Sequence, residues 1–135
     1  NGLEVWTVRP LNFQDRTETQ RQKNHGILFK RMDMDQKNSK LQQIVDDMMY
    51  SYKRIESQAL AERIAREVSR DLRLENRGAR DAGYFVLRNT LSPAVLVEVA
   101  FMSNPKEERL LKSEDFRQEV AESLSRTIVR YVNSL

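Results

Sequence analysis

The chain contains no cysteine, one histidine, three prolines and four glycines among its 135 residues. Without cysteine it can form no disulfide, no thiolate zinc site and no cysteine nucleophile. His25 cannot build a catalytic zinc site alone, because such a site takes about three protein ligands. Beside Gly26 in a polar stretch, it reads as a solvated loop residue. No apolar run approaches the roughly 20 residues of a membrane span, and no signal-peptide pattern opens the chain. Gly-rich phosphate loops, G-x-S-x-G and H-E-x-x-H words are missing. The 23 basic and 20 acidic residues are interspersed and leave a net charge of only +3. That speaks against a nucleic-acid partner, which calls for a concentrated basic stripe. There is no initiator Met and Asn1 opens almost directly into a strand pattern, so the expectation is a piece of a longer protein.

With 39% hydrophobic and 32% charged residues, the chain supports one small domain with a core under a solvated surface. Leu3 to Val8 (LEVWTV) alternates and reads as a strand stopped by Pro10. Asn12 to Ser39 reads as a polar insertion, with Asp15 to Lys23 (DRTETQRQK) as a solvated helix inside it. No Gly or Pro interrupts the next stretch before Gly78. Leu41, Ile44, Val45, Met48, Met49, Tyr52 and Ile55 recur at helical spacing, and Ala59, Leu60, Ile64 and Val68 continue the stripe. One long helix is expected from Ser39 to Leu72, with Met48, Met49 and Tyr52 in the core. Asn76-Arg77-Gly78 reads as a turn, Ala82 to Leu87 as a second strand and Ala94 to Phe101 as a third. Apolar residues on both faces of that third strand suggest helices on both sides of the sheet. Asn104 and Pro105 suit the N-cap and first position of a helix whose first turn holds Glu107 and Glu108. Ser113 caps a last helix, with Phe116, Val120, Leu124, Ile128 and Val132 as its buried stripe and Tyr131 at its edge. The class is α/β, a sheet packed with helices, and three strands are few enough to suggest further strands upstream.

One residue conflicts with this pattern. Glu98 lies inside the apolar word PAVLVEVAF, and an unpaired buried charge costs several kcal/mol. Near the end of a strand in an open α/β sheet it would face a ligand crevice and could act as a general base. An ion pair with Arg77, Arg80 or Arg88 explains it equally well, and the residues alone leave both roles open.

From Ser57 to Tyr131 the chain resembles the C-terminal half of the zinc-dependent N-acetylmuramoyl-L-alanine amidases of bacterial cell-wall turnover. The resemblance rests on SQALAERI, on RGARDAGYFVLRNTLSPAVLVEVAFMSNPKEERLL and on FRQEVAESLSRTIVRY. NGLEVWT is similar to the family strand that follows the last zinc ligand. The resemblance implies a twisted, mostly parallel mixed sheet of about six strands between helices, of which this chain holds about three. It implies that residues 1–135 are the C-terminal part of one catalytic domain. It makes Glu98 the catalytic glutamate, activating a zinc-bound water that cleaves the amide between N-acetylmuramic acid and the L-alanine of the stem peptide.

The resemblance implies a zinc held by His, Glu and His, all of which would precede Asn1, so the chain by itself is expected to be inactive. Ala100 stands where the family usually has Gly, a change read as harmless. The 12–39 insertion falls where some periplasmic relatives carry a regulatory helix that an activator protein draws away, with Glu18 as the candidate blocking carboxylate. The implied partner is peptidoglycan, in the periplasm or outside the cell. The alternative is a non-catalytic module with the amidase fold that binds peptidoglycan or regulates. An envelope interaction protein using the basic insertion is the third reading.

Overall fold

A computed structural model describes residues 1–12, 39–90 and 92–135. The elements run β1 (Leu3–Val8), α1 (Ser39–Asp71), β2 (Asn76–Ala82), α2 (Phe85–Arg88), β3 (Leu96–Val99), α3 (Pro105–Lys112) and α4 (Glu114–Val132). The three strands form one mixed sheet in the order β2-β1-β3. β1 runs parallel to β2 and antiparallel to β3. The fold is therefore α/β, as the pattern of elements suggested.

Alternation along β1 decides the layering. Leu3 and Val5 are fully buried and pack with Ala61, Ile64, Ala65 and Val68 of α1, while Val97 and Val99 of β3 pack alongside. Thr7 points the same way and its hydroxyl donates to Gln58 Oε1 of α1 at 3.2 Å. The residues between, Glu4 and Trp6, face the other side of the sheet.

Three expectations fail, each for a tertiary reason. The strand lies in the polar word NRGARDA, and the apolar word FVLR forms a short helix with Phe85 and Val86 exposed. Gly78, at φ 87°, lets the chain bulge where the β1–β2 register shifts, so a segment read as a turn pairs as a strand. β3 is one of the two outer strands and half-buried throughout, shorter and less covered than Ala94 to Phe101 suggested. In α1 the buried line is Lys53, Ser57, Ala61, Ile64, Ala65 and Val68, whereas Leu41, Ile44, Val45, Met48, Met49, Tyr52 and Ile55 are all exposed. Helical spacing identified the helix there but not which face is covered.

The last helix is offset in the same way. Its buried residues are Phe116, Ser123, Thr127 and Tyr131, while Ile128 and Val132 are exposed. α4 meets α1 through polar pairs. The Ser123 hydroxyl donates to Asp71 at 2.8 Å and holds that carboxyl below its usual range. Tyr131 donates its hydroxyl to the Glu56 carboxylate, and burial with that neighbour pushes it up to about 12. The caps behave as expected: Asn104 accepts from the Lys106 N–H, and Ser113 from that of Phe116.

Ala100 follows β3 with φ 57°, in the left-handed region that favours glycine, and its N–H donates to Gly2 O at 2.8 Å. The departure from the family's Gly is therefore not neutral. A Cβ there costs about 1–2 kcal/mol, partly offset by the extra freedom glycine has when unfolded. Ala100→Gly is expected to stabilise the protein by about 0.5–1 kcal/mol, read as a rise in urea midpoint at constant slope. A lower midpoint would contradict this.

Candidate active site

The sheet face opposite α1 carries the candidate site. Glu98 of β3 and Glu4 of β1 are direct partners in the antiparallel ladder, as are Leu96 and Trp6. Directly opposed residues share a face with Cβ atoms about 5 Å apart, so the two carboxylates stand side by side. Their fates differ. Glu4 is 4% exposed and pairs with Arg80 Nε at 2.8 Å and Arg77 Nε at 3.4 Å, both on β2. Glu98 is half-buried and has no hydrogen bond or ion pair among the described residues.

The arginine pairing proposed for Glu98 exists, but on Glu4. Nor does Glu98 lie beyond the carboxyl ends of parallel strands. Because β3 is antiparallel, its last residues lie beside the start of β1, and Glu98 stands on the face of the sheet.

Aromatic rings frame the charges. Arg77 lies over the Phe101 ring at 5.2 Å and Arg80 over Trp6 at 5.8 Å. Tyr84 meets Trp6 edge-on, with centroids 5.7 Å apart at 83°. Each guanidinium is thus held by a carboxylate and a ring face, an arrangement that suits a partly desolvated arginine.

Three supporting residues escaped the sequence reading. Glu107, 7% exposed, accepts from the Gly2 N–H at 2.7 Å and the Phe101 N–H at 2.8 Å. It clamps the loop after β3 to the start of β1. Its signal was a glutamate at the third position of a capped helix, where such a side chain reaches back to free N–H groups; charge at a helix end was only half its role. Ser57 accepts from the Ala94 N–H at 2.9 Å and donates to Lys53 O at 2.7 Å. Lys53 donates to the carbonyls of Leu87, Arg88 and Thr90 at 2.5, 3.2 and 2.7 Å, and burial pushes its ammonium down to about 8. Both tie α1 to the segment that leads into β3. A lysine and a serine at four-residue spacing ahead of Ala61 were the available signal.

The family model for N-acetylmuramoyl-L-alanine amidase matches residues 1–130. The chain belongs to that family. It is 39% identical over 79 residues to the N-acetylmuramoyl-L-alanine amidase AmiC of Neisseria meningitidis, covering 58% of this chain and 19% of that protein. It is 33% identical over 95 residues to AmiA of Escherichia coli, covering 70% and 33%. A solved amidase from Clostridium difficile 630 superposes with a TM-score of 0.63 at 20% identity, covering 98% of this chain and 49% of that one. That likeness is one of fold. The chain therefore spans about half of this solved relative and a third or less of the two curated ones.

Among the described residues, no group of three or more His, Asp and Glu is placed to hold a metal ion. His25, Glu18 and the Asp15–Lys23 segment lie outside the described residues. Within those described, no helix is long and apolar enough to cross a membrane.

Proposed function

We propose that the protein carrying this chain cleaves the amide between N-acetylmuramic acid and L-alanine in peptidoglycan, in the periplasm or outside the cell, with Glu98 as its general base. One observation carries the assignment: of the two carboxylates side by side on this sheet face, only Glu98 makes no ion pair with an arginine among the described residues. A carboxylate in that state can take a proton from water as the oxygen attacks the amide carbonyl. It can then return the proton to the alanine nitrogen as the C–N bond breaks, so the same group serves as base and then acid. The zinc of the complete enzyme would be held by residues outside this 135-residue stretch, where it would polarise the amide carbonyl and lower the pKa of the attacking water. The 135-residue stretch by itself is proposed to be inactive.

The test is product analysis with the complete protein on purified peptidoglycan. Release of stem peptides with a free L-alanine amine, and no change in the glycan strand, is the expected result. Co-sedimentation with peptidoglycan without any release would instead favour the non-catalytic binding module. The same assay on a form lacking Asp15–Lys23 tests the regulatory reading of the 12–39 insertion. Higher basal release is expected if that segment, with Glu18, covers the site until an activator protein removes it. Unchanged release would sink that part.

A further inference from the structure

Among the described residues neither arginine of β2 pairs with Glu98. Arg77 belongs to β2, and its guanidinium lies over the ring of Phe101, three residues past Glu98 in the chain. It pairs with Glu4 on the central strand. Arg80 starts one row further along β2 and reaches the other oxygen of the same carboxylate. The described charged groups gathered here are Arg77 and Arg80 from β2, Glu4 from β1, Glu98 from β3 and, on the Gly2 and Phe101 N–H groups, Glu107 from α3. Of the adjacent ladder partners Glu4 and Glu98, Glu4 holds both cations.

We propose that Glu4 is a positioning residue for the reaction: by capturing Arg77 and Arg80 it keeps the neighbouring Glu98 carboxylate unpaired and able to accept a proton. This rests on the reading of Glu98 as the base. The physical reason is competition for one pair of cations. An arginine within about 4–6 Å favours the charged form of a carboxylate and weakens it as a base. With Glu4 neutral, the carboxylate directly beside it in the ladder is Glu98, which then becomes the competing anion for these guanidinium groups.

The test uses the complete protein. Glu4→Gln keeps the shape and removes the charge. The expected result has two parts. A crystal structure of the variant has Arg77 or Arg80 on Glu98. The acid limb of the kcat/KM profile moves to lower pH by about one unit or more, with activity at neutral pH down about three- to tenfold. The triple replacement Glu4→Gln/Arg77→Met/Arg80→Met removes captor and captives together, and its acid limb is expected to return to that of the unsubstituted protein. A purely structural role for Glu4 would give the triple variant the same defect as the single one, and that outcome overturns the proposal. So does a folded Glu4→Gln protein whose arginines and acid limb have not moved. Should Glu4→Gln not fold, Glu4→Gln/Arg77→Met leaves Arg80 as the only captive and is compared with the triple variant; identical acid limbs again overturn the proposal. Full activity in Glu98→Gln would overturn the base assignment instead, while the variant crystal structure still reports whether Glu4 does the capturing.

Discussion

Glu98→Gln in the complete protein is expected to lower kcat by about 10²–10⁴-fold, the range spanned by loss of a positioned general base. KM should change little, because the amide keeps the shape and polarity of the side chain. Folding should hardly notice. Glu98 is half-buried and makes no hydrogen bond or ion pair among the described residues, so its replacement breaks nothing visible in the fold. Surface changes of that kind usually fall within about 0.5 kcal/mol. The backbone pairing of β3 with β1, Leu3 to Val99 and Val5 to Val97, does not depend on the side chain. The measurement is steady-state release of stem peptide, with a urea melt alongside. A kcat within threefold of the unsubstituted protein would remove Glu98 from the chemistry. A large loss of stability would mean that the residue holds the fold and that the activity loss says nothing of catalysis.

Glu107→Ala is expected to produce the opposite pattern, a large loss of stability with chemistry affected only through it. The carboxylate accepts two backbone N–H groups, from Gly2 and Phe101. Hydrogen bonds to a charged group contribute about 1.5–3 kcal/mol each, and the stranded donors add a penalty of their own. A loss of about 3–5 kcal/mol follows, a large fraction of a small domain's total stability. Glu107→Gln separates charge from geometry. One amide oxygen can serve only one of the two N–H groups, and the amide nitrogen turns a donor toward the other. About 2–3 kcal/mol should be lost. The readout is the urea midpoint for both variants. A shift below 1 kcal/mol for the alanine form would show that the clamp is replaceable by water.

The pairing of these two glutamates explains what can and cannot be read from a sequence. Glu98 was legible because its oddity is local: a charge inside PAVLVEVAF is visible without knowing the fold. Glu107 was legible only as charge at a helix start, because its partners lie six residues back and at the other end of the chain. The same division runs through the helices. Their existence and caps, Asn104 and Ser113 among them, follow from neighbours three or four residues apart. Which face is buried does not. Met48, Met49 and Tyr52 fit a core stripe by spacing and are exposed, while Lys53 and Ser57 break the apolar rule and are buried because carbonyl and amide groups of the 87–94 segment come to meet them. NRGARDA looked like a turn because a strand's partners are not in its own residues; β1 supplies them.

By itself the sequence determined the α/β class, most helix limits and the family, and it singled out Glu98 as a candidate, since each rests on short-range pattern or on an ordered string of residues. Only the tertiary structure decided which carboxylate the arginines take. Glu4 and Glu98 are 94 positions apart in the chain, and nothing short of the β1–β3 ladder sets them side by side. Charge attraction falls off with distance and depends on burial, so which of two glutamates keeps its charge unpaired is a property of the assembled sheet.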